Sequence, residues 1–216
     1  MHRNGPGSAR SLAARRVSGM VSYAVWAGLC ALLLAACNSP GSVKPTIKIG
    51  LSAPFEGLNR DLGYEALHAV RMAVRERNAE GGVAQRYLVE LVALNDLNEA
   101  EKAIEQARKM AVDPGVLGVL GGWSQETEGA SAEYDQLGLT FLTPGVDLSL
   151  PHSLASVDVD FAARYAMQSG EVVPGPAAVW AYSAANRLMD AMETVTRSDG
   201  HPTRSGVRGA ITSLDW

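Results

Sequence analysis

The sequence predicts an α/β fold in which a parallel sheet is covered by helices on both faces, a three-layer αβα arrangement. Three observations predict it. Short apolar runs alternate with helix-length amphipathic runs between residues 46 and 143. Gly-Gly and Asn-Asp pairs stop these runs. The 216 residues are 47% hydrophobic and 19% charged, an ordinary globular balance with enough chain for one core. Strands alternating with helices of this length imply right-handed crossovers and a buried parallel sheet.

"TIKIGLS" (46–52) reads as the first strand, followed by a loop and a helix over 61–78. Leu67, Val70 and Val74 fall on one face of that helix, with Arg71, Arg75 and Glu76 on the other. Gly81-Gly82 stops it. "YLVELVAL" (87–94) is the second strand, and residues 99–112 form a helix whose inner stripe is Ala103, Ile104, Ala107 and Ala111. Glu105 and Lys109 make a favourable i,i+4 pair on its outer side. "GVLGVLGG" (115–122) is a Gly-rich third strand. "SQETEGASAEYDQLG" reads as one helix with Gly129 near its middle, and "LTFLT" (139–143) as the fourth strand. Three helical segments follow, over 160–168, 176–195 and 204–213. The middle one carries Val179, Ala184, Leu188 and Ala191 on its inner side. Ligands of open α/β sheets sit outside the carboxyl ends of the strands, here "SAPFEG", "NDLN", "GGWSQE" and "TPGVD".

The first 36 residues are expected to stand apart from the fold as a signal peptide. Four arginines and no acid precede the apolar run Val21–Leu34, which is too short for a confident membrane span. It ends in "LLLAAC" (32–37), which resembles a bacterial lipobox and makes Cys37 the lipidated first residue of a membrane-anchored mature chain; a plain secretory signal is the alternative. Removing residues 1–36 takes away four basic residues and leaves 15 against 23 acidic ones, a net charge of −8. Nucleic acid is therefore excluded as a natural partner, since no basic stripe stands out. Cys30 leaves with the signal, so no thiol remains for a disulfide or a Cys-based metal site. Residues 37–45 read as a tether.

Between the fourth strand and the next helix, Pro144–Val159 carries two prolines and three serines without a period. Structureless connections this long are uncommon inside a compact domain. A family resemblance accounts for it. "IKIGLSAPFEG", "AVRMAVRERNAEGGV", "LVELVALND", "GVLGVLGGWSQET" and "GLTFLTPG", in that order and spacing, resemble the amino-terminal lobe of type I periplasmic binding proteins, the Leu/Ile/Val-type receptors of ABC importers. "FAARYAMQSGEVVPGPAAVWAYSAANRLMDAM" resembles the helical segment that returns late in such chains to pack on the first lobe. In the family a complete second lobe stands between the two, and further strand follows the position of Trp216. The resemblance implies residues 46–148 as one lobe, 149–159 as a shortened join in place of the second lobe, and 160–216 as the returning segment. A small flavodoxin-like domain with an ordinary long loop is the alternative.

The resemblance also implies a ligand. Relatives grip an amino acid or similar small polar molecule between lobes. The first lobe contributes a Ser/Thr-rich turn after the third strand and a small-residue turn after the fourth. Backbone amides at a helix start favour an anion, and small residues let the backbone approach. Carried over by position, the first turn holds Trp123, Ser124 and Thr127, and the second Gly145, Val146 and Asp147. Ser124 falls on a ligand hydroxyl; it also suits a helix cap. Trp123 either stacks on a ligand or covers strand ends. Asp147 departs from the family's hydroxyl and disfavours an α-carboxylate, pointing to a cationic or amide ligand, unless it is a solvated loop acid. Leu62 replaces a frequent aromatic.

One wall leaves a ligand wet, so each polar contact is worth about 0.5–1.5 kcal/mol, and binding is expected to be millimolar at best, about −4 kcal/mol. The implied partners are a small polar ligand, an ABC permease, the membrane through a lipid anchor, and a second copy. A partner-binding or regulatory lipoprotein without small ligand, or a decayed remnant, is the rival reading. No Walker loop, dinucleotide fingerprint, HExxH or nucleophile elbow occurs. His68, His152 and His201 are far apart and read as surface residues, and Glu126 with Asp147 lacks a nucleophile. No enzymatic activity, cofactor or metal is expected.

Overall fold

A computed structural model describes residues 44–144 and 158–213. The signal segment, Cys37, Gly145, Val146, Asp147 and most of the expected join lie outside the described residues.

Four strands form one parallel sheet: β1 (Thr46–Ala53), β2 (Leu88–Asn95), β3 (Val116–Leu120) and β4 (Thr140–Leu142), in the order β2-β1-β3-β4. The connecting helices are α1 (Arg60–Ala79) and α2 (Ala100–Val112), then α3 (Gln125–Glu128) and α4 (Ser131–Gln136). After the join come α5 (Phe161–Ser169), α6 (Pro176–Asp199) and α7 (Arg204–Ser213). The expected single helix over 124–138 is two short ones. The chain breaks at Gly129-Ala130, where glycine is a poor helix former.

Burial follows the strand period. Ile47, Ile49, Leu51 and Ala53 of β1 face α1 and α6, in a core completed by Val70, Ala73, Leu188, Met189 and Met192. A smaller core on the opposite face joins Ala103, Ala107, Met110, Val116, Val119, Tyr134 and Leu139. These two cores define the three layers. β1 and β3 are covered on both faces, whereas β2, at the edge, is mostly half-buried.

Helices α1 and α6 are the main helix pair, and α5 lies on α1. The late helices therefore close onto the sheet built from residues 46–142. Helix α6 buries Ala177, Ala178, Trp180, Ala181 and Ala185 as well as the four anticipated positions, and runs to Asp199 instead of 195. Gly118 of β3 allows its close approach to the sheet: a β-carbon there would stand 2.6 Å from the Leu188 side chain. Glu76, read as an outer-face acid, is instead half-buried and accepts from Arg164 of α5 at 2.7 Å and from the Tyr182 hydroxyl at 2.6 Å. His68, read as a surface residue, is half-buried edge-on to Tyr165. Asn78 ties the end of α1 to β2, exchanging two 2.8 Å hydrogen bonds with the backbone of Val89.

Candidate ligand edge of the sheet

All four strands are parallel, so their carboxyl ends share one edge of the sheet. There, Ser52 Oγ donates to Asp96 Oδ2 at 3.0 Å, and the Asn98 amide donates to Asp96 Oδ1 at 3.0 Å. Asp96 is fully buried, and burial pushes its carboxyl pKa up against the pull of these donors. Asn95 Oδ1 accepts the amides of Phe55 and Leu97 at 2.9 and 3.0 Å. Asn95 and Asp96 thus fold the β1 and β2 ends into fixed turns. The sequence marks them as a strand stop, but their partners 40 and 44 residues away carry no local signal.

The third turn is built from Gly121 to Thr127. Gly122 adopts φ +72°, and a β-carbon there would stand 2.8 Å from Thr143 Oγ1, so glycine is required on both counts. Thr143 Oγ1 donates to the Gly122 carbonyl at 3.2 Å, and the Gly121 amide to the Leu142 carbonyl at 3.0 Å, which locks the turns after β3 and β4 together.

Trp123 points inward and is 6% exposed. Its indole N–H donates to the Ser52 carbonyl at 2.8 Å, and its ring meets Trp180 of α6 edge-on with centroids 5.2 Å apart. Ser124 caps α3: the Thr127 amide donates to Ser124 Oγ at 3.4 Å, and the Ser124 amide donates to Thr127 Oγ1 at 3.2 Å, a reciprocal capping box. Thr127 is buried, and its hydroxyl is spent inside the turn. Helix α3 has only four residues, so the aligned dipole expected to draw an anion has almost no length behind it.

Of the predicted site residues, the structure therefore brings Trp123, Ser124 and Thr127 into one turn, with only Ser124 half-exposed. The exposed Glu126 sits beside it. Its own backbone amide and the Ser124 hydroxyl hold the Glu126 carboxyl below the usual range. Ser124 thus faces a carboxylate, which repels another carboxylate and leaves an acceptor for an amine or amide N–H. Trp180, Ser52, Asn95 and Asp96 shape this edge and were missed as site residues. Among the described residues no group of His, Cys, Asp or Glu is placed to hold a metal ion, and no helix is long and apolar enough to cross a membrane.

A family model described as periplasmic binding protein matches residues 46–153. Leu/Ile/Val-binding protein homolog 7 of Brucella abortus is 31% identical over 110 residues, which are 50% of this chain and 27% of that protein. Its counterpart in Brucella melitensis is 32% identical over 100 residues, 46% of this chain and 25% of that protein. The chain thus spans about a quarter of the length of the curated relatives it matches. Among solved structures, the branched-chain amino acid transporter substrate-binding protein LivJ of Streptococcus pneumoniae, in complex with isoleucine, superposes with a TM-score of 0.58 at 13% identity, over 77% of this chain and 87% of that one. The leucine-binding protein LivK of Thermotoga maritima does so at 0.55, with 13% identity and the same shares. At these identities the superpositions establish the fold, and the family match extends across the sheet and its turns. The chain belongs to the type I periplasmic binding protein family, whose members are substrate-binding proteins and not enzymes.

Proposed function

We propose that the protein is a lipid-anchored, extracytoplasmic solute-binding protein of the branched-chain amino-acid and amide type, reduced to one lobe and serving an ABC importer. The relatives named for Leu, Ile and Val binding support the ligand class, and "LLLAAC" supports an anchor at Cys37. The observation that carries the ligand assignment is the exposed Glu126 carboxylate beside the half-exposed Ser124 at the carboxyl end of β3. With Asp147 in the next turn of the sequence, this edge suits an amine or amide nitrogen better than an α-carboxylate. Gly145 and Val146 supply backbone contacts in this reading, and Trp123 and Thr127 fix the turn from beneath.

The ligand has one wall. A pocket that binds well buries about 70–90% of a small ligand, and one wall cannot reach that. Binding is therefore millimolar, about −4 kcal/mol.

Calorimetric and NMR titration of the protein expressed from the full sequence tests this, with leucine, isoleucine, valine and leucinamide as ligands. Leucinamide is expected to bind more tightly than leucine, shifting the Ser124 and Glu126 amide resonances at millimolar concentration. Saturable binding of leucine tighter than about 100 μM (roughly −5.5 kcal/mol) overturns the one-wall reading. No response from any ligand overturns the solute-binding reading. Metabolic labelling with a radiolabelled fatty acid tests the anchor: wild type incorporates label and Cys37→Ser does not.

A further inference from the structure

We infer that Trp180, on the returning helix α6, is a positioning residue for the candidate ligand turn, so that the late helical segment shapes the site as well as covering the sheet. The inference rests on the reading that the Trp123–Thr127 turn faces ligand.

Trp123 immediately precedes Ser124 in the chain, so anchoring the Trp123 side chain limits how far the peptide that carries Ser124 can shift. Two contacts fix that indole. The first is the 2.8 Å hydrogen bond to the Ser52 carbonyl, at the end of β1. This bond anchors one edge of the ring but does not by itself fix its rotation about the N–H···O axis. The second is the perpendicular contact with Trp180, with centroids 5.2 Å apart and an interplanar angle of 90°. An edge-to-face pair has a directional optimum, because the positive ring edge seeks the negative face. It therefore stops the rocking that the hydrogen bond permits. Both rings are buried, Trp123 at 6% and Trp180 at 2% exposed, so water offers no substitute contact.

Trp180 is itself held rigidly. It lies in the second turn of α6, a 24-residue helix packed along α1. Gly121 and Gly122 carry no side chains, so the backbone of the turn is held by its hydrogen bonds to Leu142 and Thr143 and by the Ser124–Thr127 capping box. The orientation of the Trp123 ring, by contrast, is set in part by α6. A segment more than fifty residues later in the chain decides how Ser124 is presented.

The close contact of the two indoles also supplies an optical signature. Two perpendicular indoles at this separation couple their excited states and produce an exciton couplet in far-ultraviolet circular dichroism.

The test compares wild type, Trp180→Leu and Trp180→Phe, each expressed from the full sequence, by amide hydrogen exchange and circular dichroism. Trp180→Leu is expected to abolish the couplet. It should speed exchange at Ser124–Thr127 roughly three- to tenfold relative to the centres of β1 and β3, the range that follows from losing one aromatic pair. Trp180→Phe, which keeps an edge, should recover most of the lost protection. A merely structural role predicts instead that exchange rises by the same factor in the turn and in the sheet; that result, or an unchanged turn, overturns the proposal. If Trp180→Leu does not fold, Trp180→Phe carries the test, with a lost couplet and a smaller local increase of about twofold expected; no local increase overturns it. A leucinamide titration of wild type runs alongside. Its failure removes the ligand reading without touching the exchange result, so the two are told apart.

Discussion

The carboxylate of Glu65 on α1 caps the amino end of α6: its Oε1 accepts the Ala178 amide at 3.0 Å. Helix α6 supplies no cap of its own, because Gly175 stands at its N-cap position and Pro176 follows. A β-carbon on Gly175 would stand 2.5 Å from Glu65 Oε1, so the glycine makes room for this cap from another helix. The longest helix of the returning segment is therefore started by a residue 113 positions earlier.

Glu65 also makes stability depend on pH in an unusual direction. Burial raises its pKa above the ordinary 4.5, against the pull of the Ala178, Gly175 and Ala177 amides. A raised folded pKa means that the folded state holds the proton more tightly than the unfolded chain does. The Glu65 contribution is therefore most favourable below about pH 4.5 and declines as pH rises through the raised value. Glu65→Gln keeps an acceptor for Ala178 and removes this titration. Chemical denaturation from pH 4 to pH 7 should show wild type losing stability relative to Glu65→Gln as pH rises. Parallel curves would refute the assignment. Glu65→Ala removes the cap and is expected to cost about 1 kcal/mol near pH 4, the loss shrinking as pH rises.

Arg164 supports a second prediction. Its guanidinium pairs with Asp158 at 2.7 and 2.8 Å and with Glu76 at 2.7 Å, and it reaches the Tyr182 hydroxyl at 3.3 Å. It thereby fastens the start of α5 to both α1 and α6. Arg164 and Glu76 are each about one-third exposed, so the pair is worth more than a surface bridge and less than a buried one. A double-mutant cycle of Arg164→Met with Glu76→Gln should give a coupling of about 1 kcal/mol by thermal or denaturant melts. Arg164→Lys should recover only part of it, because an ammonium cannot hold the Asp158 carboxylate bidentately. Additivity within about 0.3 kcal/mol would show that the network does not fasten these helices.

The elements that depend on nearby residues were legible in the sequence. The apolar runs at 46–52 and 87–94 became β1 and β2 within a residue or so of the expected ends, and Gly81-Gly82 ended α1 through positive φ. The Ser124 cap could be read from Ser and Thr at N-cap and N3 spacing. The relationships that set the candidate edge were not legible. Ser52–Asp96, Trp123–Trp180 and Glu65–Ala178 join residues 44, 57 and 113 positions apart, and which side chains meet depends on how α6 crosses α1 and the sheet. Periodicity identifies a buried face but not the residue opposite it. The family resemblance narrowed this gap by putting the late helices back on the first lobe, where α6 packs against α1. The inward turn of Trp123 remained open until Trp180 was in place.

Gly118 and Leu188 give a final prediction about that crossing. A β-carbon at Gly118, in the middle of β3, would stand 2.6 Å from one Leu188 methyl group and 3.0 Å from the other. Leu188 is fully buried, with Met189 and Ala184 beside it on α6, so it has no open space to move into. Alanine at 118 must push α6 away from β3 or force Leu188 off its rotamer, and overpacking of this kind costs about 1–3 kcal/mol. Leu188→Val shortens the opposing side chain and alone should cost about 1 kcal/mol through lost burial. In the double variant the added and removed methyl groups occupy the same space, so the combined loss should fall below the sum of the single losses by about 1 kcal/mol. The measurement is the denaturant midpoint of the three variants against wild type. Strict additivity would mean that α6 does not press on β3 at this point, and it would remove the steric reason for glycine there.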